Sequence, residues 1–145
     1  MQADPSAPAY AEGEITIDVA RALVWLVLTD FVQWPHWNPG VTGVTIDGAV
    51  APGTTFRWKS GRNTIRSELV DVDAPGAISW KGKTTGIKAV HAWQLDDRDG
   101  VTVVRTQESW HGLVVKLLRH SIQPTLQQAI DEGLIALKAE AERRT

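Results

Sequence analysis

Leu118, Ile122, Leu126, Ile130, Leu134, Leu137 and Ala141 recur every three or four residues on an otherwise polar C-terminal segment. That spacing predicts a long helix with one apolar stripe, and such a stripe has to be covered. Pro124 falls inside it, so the helix either begins about there or is kinked there. The cover is written immediately upstream. Six strand-like segments, near residues 42–47, 54–60, 63–72, 77–83, 87–96 and 101–111, are separated by "APG", "SG", "DAPG", "TTG" and "DDRDG". Links that short join neighbouring antiparallel strands. A curved antiparallel sheet can bury one face against an amphipathic helix, and it leaves a tapering space between the two. Unless large side chains fill that space, it is a cavity.

The remaining elements are shorter. "GEITIDV" alternates Ile15, Ile17 and Val19 as a first strand. "ARALVWLVL" is a brief apolar helix for which Asp18 is the candidate N-cap, and Thr29-Asp30 offers a cap for a second piece, "DFVQWPHW". Pro39 and Gly40 end that piece. Residues 1–12, with Pro5 and Pro8, read as a disordered lead-in, and residues 13–145 as a single domain. The expected class is α+β: about seven antiparallel strands, two short helices after the first, and one long C-terminal helix.

Composition removes several functions. Net charge is −2 and no run of Lys or Arg stands out, so a nucleic-acid partner is not expected. The absence of cysteine excludes disulfides and thiol chemistry. His36, His91, His111 and His120 show no ligand spacing, so neither metal nor cofactor is expected. No phosphate loop or serine elbow occurs. The longest apolar run, Leu23 to Leu28, is too short for stable membrane insertion, which makes a cytoplasmic protein the default. Tryptophan is the unusual component: seven, against two Phe and one Tyr. An indole N–H needs a partner, so a Trp-rich chain can be lining a space instead of filling it.

Alternation assigns the faces. Ile87, Ala89, His91, Trp93 and Leu95 share one side of their strand; Val104, Thr106, Glu108 and Trp110 share one side of the next. Phe56, Trp58 and Trp80 point the same way, while Lys59, Lys81, Lys83, Lys88 and Arg105 form a solvated outer set. The 96–100 turn then places His91 and Glu108 about 5–8 Å apart at Cβ. They are the candidate proton-transfer pair, because a buried carboxylate needs a partner and both groups would be tuned by burial. Phe56, Trp58, Trp80, His91, Trp93, Thr106, Glu108 and Trp110 are the candidate ligand-binding set. The plain alternative is that the indoles are packed core and His91 is structural.

These segments, from about Ile15 to Glu142, resemble the START-like (SRPBCC) superfamily, and within it the small bacterial polyketide cyclase/dehydrase and lipid-transport type proteins. The resemblance rests on "VWLVLTDFVQWPHWNP", Gly53 before Phe56, "DAPGAISW", "HAWQL", "ESWHG" and the closing "ALKAEAE" in that order. It implies a helix-grip fold around an apolar ligand cavity. It also implies that "DFVQWPHWNPGV" is a corner at the cavity mouth and that the Glu108–Gly112 spacing is structural. It carries no shared catalytic motif.

Three functions follow. One is binding of a small apolar, aromatic or lipid-like molecule. The second is a cyclase or dehydratase using His91 and Glu108, with Thr106 as hydrogen-bond donor. The third is a protein-interaction module, which requires a contiguous exposed apolar patch. Monomer and homodimer both remain open.

Overall fold

The computed structural model describes all 145 residues. β1 (Ala9–Ile17) is followed by α1 (Arg21–Thr29), a 3-10 turn (Phe31–Gln33) and α2 (Trp34–Trp37). The meander is β2 (Gly43–Ile46), β3 (Thr55–Ser60), β4 (Asn63–Asp73), β5 (Ala77–Thr84), β6 (Ile87–Arg98) and β7 (Val101–His111). A short α3 (Leu113–Leu117) then leads into α4 (Arg119–Arg143). The seven strands form one antiparallel sheet in the order β1-β7-β6-β5-β4-β3-β2, so the first strand returns to pair with the last. This is the curved sheet around a long helix that the alternation and the C-terminal stripe predict, and the helix-grip fold that the resemblance implies.

Leu126, Ile130, Leu134, Leu137 and Ala141 of α4 are all buried, against Ile17, Leu69, Leu95 and Val104 of the sheet among others. The helix lies closest over β1. Gly13 makes that approach possible: a Cβ there would sit 2.7 Å from Leu134 Cδ1 and 3.2 Å from Ile130 Cγ2. β1 is an edge strand, and an uncovered edge is a pairing hazard. Here α4 covers it. Gln123 accepts from the Tyr10 N–H at 2.9 Å, Gln127 donates to the Glu12 carbonyl at 3.0 Å, and Lys138 donates to the Thr16 carbonyl at 2.9 Å.

Several expectations are corrected. Residues 9–12 are not part of a disordered lead-in but the first half of β1, paired with Gln107 to Trp110, and Ala3 is buried too. Neither Asp18 nor Asp30 caps a helix with its side chain; the Asp18 N–H instead donates to Glu142 at 3.1 Å. α4 begins at Arg119 and runs through Pro124, its sixth residue, where the missing N–H leaves the His120 carbonyl without its intrahelical donor. Leu118 does not join the buried stripe and stays 53% exposed. The "KAEAERR" charges do more than solvate a helix face: Glu140 is buried and held by Arg143 and Arg144 at 2.7 and 2.8 Å. Those guanidinium hydrogen bonds bring its carboxyl down from 4.5 to about 2.

Gly112, at φ 138°, closes the Glu108–Gly112 spacing. A Cβ on it would run into the Gly86 carbonyl oxygen, so the close crossing of the β5–β6 turn requires glycine here.

Candidate functional site: an indole-walled cavity ending in a His–Glu pair

Between the sheet and α4 lies a cavity of about 150 Å³. Trp58 of β3, Trp80 of β5, His91 and Trp93 of β6, and Glu108 of β7 form its sheet wall. Leu28, Trp34, Trp37 and Val41 close it from the α1–β2 side; Ala129, Ile130, Glu132 and Gly133 close it from α4. A second space of about 130 Å³ shares Trp58 and Glu108 and extends to Ile87 and Trp110.

The aromatic wall is continuous. Trp34 stands 6.4 Å from Trp58 and 5.6 Å from Trp80, Trp80 lies 5.0 Å from the His91 ring, and His91 lies 4.9 Å from Trp93. These indoles are both packing and lining: Phe31 and Phe56 back them, with Phe56 fully buried behind Trp34 and Trp80. Three of the seven indole N–H groups find protein partners. Trp34 donates to the Leu28 carbonyl at 2.9 Å, Trp58 to Ser67 at 3.3 Å and Trp110 to Glu108 at 2.7 Å. Trp37 and Trp93, which line the cavity, have buried N–H groups with no partner. A buried donor left unmade costs about 1–3 kcal/mol.

His91 and Glu108 are directly opposed across β6 and β7, with Nδ1 and Oε1 3.3 Å apart. Thr106 Oγ1 lies 2.8 Å from His91 Nε2 and 3.0 Å from the Ala92 carbonyl. Burial holds the imidazole below its ordinary value, and the opposing pull of the Glu108 charge does not undo this. A neutral imidazole has one N–H. With the proton on Nδ1 the N–H lies on the Glu108 side, 3.3 Å from Oε1, and Nε2 accepts from the Thr106 hydroxyl. With the proton on Nε2, Thr106 must turn its hydrogen to Ala92, and the Nδ1 lone pair faces the carboxylate. The first arrangement is the favourable one.

Hydroxyl, imidazole and carboxylate therefore stand in the order of a hydrolytic relay. Thr106 is nevertheless only 2% exposed and does not line the cavity, so no substrate carbonyl can approach its oxygen. Its role is to hold the ring. Glu108 and Ser60 line both cavities, and Trp110 fixes one of the Glu108 oxygens.

Of the eight residues singled out by sequence, Trp58, Trp80, His91, Trp93 and Glu108 meet in the main cavity, and Trp110 lines the second. Phe56 and Thr106 stand behind the wall. The α4 face, Ala129, Glu132 and Gly133, was not legible from the strands. Its one signal was a glycine inside an amphipathic helix. No group of three or more His, Asp or Glu side chains is placed to hold a metal.

Fold and site define a helix-grip protein with a small internal cavity. Residues 9–142 match the family described as Polyketide cyclase / dehydrase and lipid transport, and the chain belongs to that family. No curated protein matches it by sequence. Among solved structures, the Zhui aromatase/cyclase from Streptomyces sp. R1128 is similar with a TM-score of 0.83 at 20% identity, covering 93% of this chain and 94% of that one. A hypothetical protein from Helicobacter pylori gives 0.82 at 17%, covering 94% and 90%. A START superfamily protein from Mycobacterium smegmatis gives 0.74 at 13%, covering 94% and 99%. At these identities the likeness is one of fold. Family and fold support a ligand-binding or cyclase role, and no helix is long and apolar enough to cross a membrane.

Proposed function

We propose that the chain binds a small aromatic molecule carrying one hydroxyl, a phenol in its simplest form, in the indole-walled cavity. The observation that carries this is the partly open, mainly apolar space whose sheet wall includes Glu108. Its volume of about 150 Å³ is below the roughly 300 Å³ at which drug-sized pockets begin. It is comparable to an apolar cavity of about 150 Å³ that accepts benzene. Polar complementarity supplies the rest. Glu108 accepts a hydrogen bond from the hydroxyl, while the side chains of Trp37 and Trp93 line the space around the ring.

A titration with 2-naphthol, alongside naphthalene, tests the reading through tryptophan fluorescence. Saturable quenching at one ligand per chain is expected, with the hydroxylated ring held about tenfold tighter, one charge-assisted hydrogen bond's worth. Equal affinity for both rings, or no saturation, refutes it.

Proton transfer is a second reading, favoured by the 3.3 Å His91–Glu108 pair on the cavity wall. A cyclase or dehydratase of long poly-keto chains would need more room than both spaces provide together. The α2–β2 corner, Trp37 to Val41, would then have to swing aside. If turnover occurs, Glu108→Gln abolishes it while leaving naphthalene binding intact.

A further inference from the structure

The most exposed apolar surface of the molecule lies on and just after α3, outside the cavity lining. Leu113 and Leu117 are 72% and 71% exposed, Leu118 53% and Val114 44%, while Val115 alone is tucked beneath. Four large aliphatic side chains in a six-residue stretch are an unusual amount of apolar surface to leave in water. The segment is held firmly. Gly112 crosses the Gly86 carbonyl, and Val114 sits over Gly86.

The chain on either side of it is basic or neutral. Between Glu108 and Asp131 the chain has no carboxylate, but it carries His111, Lys116, Arg119 and His120. Beside this stretch the outer face of the sheet bears a row of opposed basic side chains. Arg57 faces Arg66, Arg66 faces Lys83, Lys83 faces Lys88, and Lys88 faces His111. Only the two ends of that row have carboxylate partners, Asp47 at 3.9 Å from Arg57 and Asp4 at 3.4 Å from His111. Like charges directly across a ladder destabilise it, so the row is an expense the sheet bears without a partner of its own. It ends beside the residues that begin α3.

We infer that this end of the molecule docks on an anionic lipid surface, with Leu113, Leu117 and Leu118 entering the headgroup–acyl boundary and Lys83, Lys88, Lys116 and Arg119 meeting the headgroups. Charge complementarity selects this occupant. An apolar tip beside a row of mainly basic side chains matches an anionic surface, and each basic residue near such a surface adds to the attraction. The docking is peripheral: α3 spans five residues, and no helix of the chain can cross a bilayer. The apolar patch that a protein-interaction role required does exist, although on α3 and not on the sheet or the first helices.

Flotation of the full chain with phosphatidylcholine vesicles, alone or doped with phosphatidylglycerol, tests the inference. Binding is expected only to the doped vesicles and should weaken with added salt. The Leu113→Ser/Leu117→Ser variant should lose about tenfold or more in partition, since two exposed apolar side chains no longer leave water. Lys83→Glu/Lys88→Glu should lose a similar factor by charge reversal. Both variants touch exposed positions, and unchanged melting temperatures confirm that they fold. Failure to float with doped vesicles overturns the inference, as does equal binding by the serine variant. A concentration-dependent dimer that the serine variant dissolves, without vesicle binding, also overturns it and assigns α3 to a second copy of this chain.

Discussion

Gly133 is the point at which the cavity can be filled without touching its polar end. It lies inside α4, lines the cavity, and a Cβ built on it meets no atom within 4 Å. Glycine in a helix interior costs about 1 kcal/mol relative to alanine. Gly133→Ala should therefore stabilise the protein by about that amount and leave ligand binding nearly unchanged. Gly133→Leu adds the same helix gain and places an isobutyl group in a space of about 150 Å³. Burying a leucine side chain contributes about 1.5–3 kcal/mol, from which about 0.5–1 kcal/mol of lost rotamer freedom is subtracted. A partly open cavity realises only part of this, so the net gain should be about 1.5–2.5 kcal/mol. For a domain of this size that is a rise in Tm of about 4–8 °C, read by calorimetry. Binding of 2-naphthol should fall by at least about tenfold, because ligand and leucine need the same volume. A lower Tm for the leucine variant would mean that the space is not there. A higher Tm with unchanged naphthol affinity would place the ligand elsewhere and refute the cavity as the site.

The buried imidazole makes stability fall with acid. His91 is held below its ordinary 6.5, so the unfolded chain binds the extra proton first and stability declines as pH drops through 6.5. Urea midpoints above and below that pH should diverge in the native protein and converge in His91→Gln. Glu140 acts in a lower window: its stabilisation is complete above 4.5 and is lost as pH falls to about 2. After solvent screening of Arg143 the amount is about 1–2 kcal/mol, and Glu140→Gln should flatten an acid-denaturation curve between those limits. Gly13→Val should behave oppositely to the changes at Gly133. Its Cβ would stand 2.7 Å from Leu134 Cδ1, forcing α4 away from β1 at a cost of about 1–3 kcal/mol in the urea midpoint.

The inward face of the sheet was legible because a period of two leaves little choice once Trp80, Trp93 and Trp110 contrast with Lys81, Lys88 and Arg105. The His91–Glu108 pairing was legible for a related reason: a turn as short as 96–100 fixes the register. The start of β1 was not. Ala9 and Ala11 look like filler in a proline-bearing leader, yet they are small because α4 lies close above that strand. The partners of its outer edge, Gln123, Gln127 and Lys138, are more than a hundred residues away in sequence. Leu118 shows the converse limit. Helical spacing identifies residues that share a stripe but not where the covering surface ends, and at Leu118 the sheet no longer lies beneath. The like-charged row on the outer face depends on register in five strands at once, so no single strand's pattern reveals it.

What the site can do is decided by access more than by residue type. Thr106, His91 and Glu108 stand in a relay order that on an open surface would suggest nucleophilic chemistry. In this fold the hydroxyl sits behind the wall, its own hydrogen bonds reach only His91 and Ala92, and the polar side chains lining the space are Asn38, Ser60, His91, Glu108 and Glu132. Thr106 therefore sets the ring's orientation, the ring steadies Glu108, and Glu108 meets whatever enters. That ordering separates the two functional readings by a single substitution. Thr106→Val keeps the volume but removes the hydrogen bond that positions the imidazole. It should leave naphthol affinity within about twofold while disturbing any proton-transfer rate far more, because a binding site needs the carboxylate in place and a proton relay needs the ring held as well.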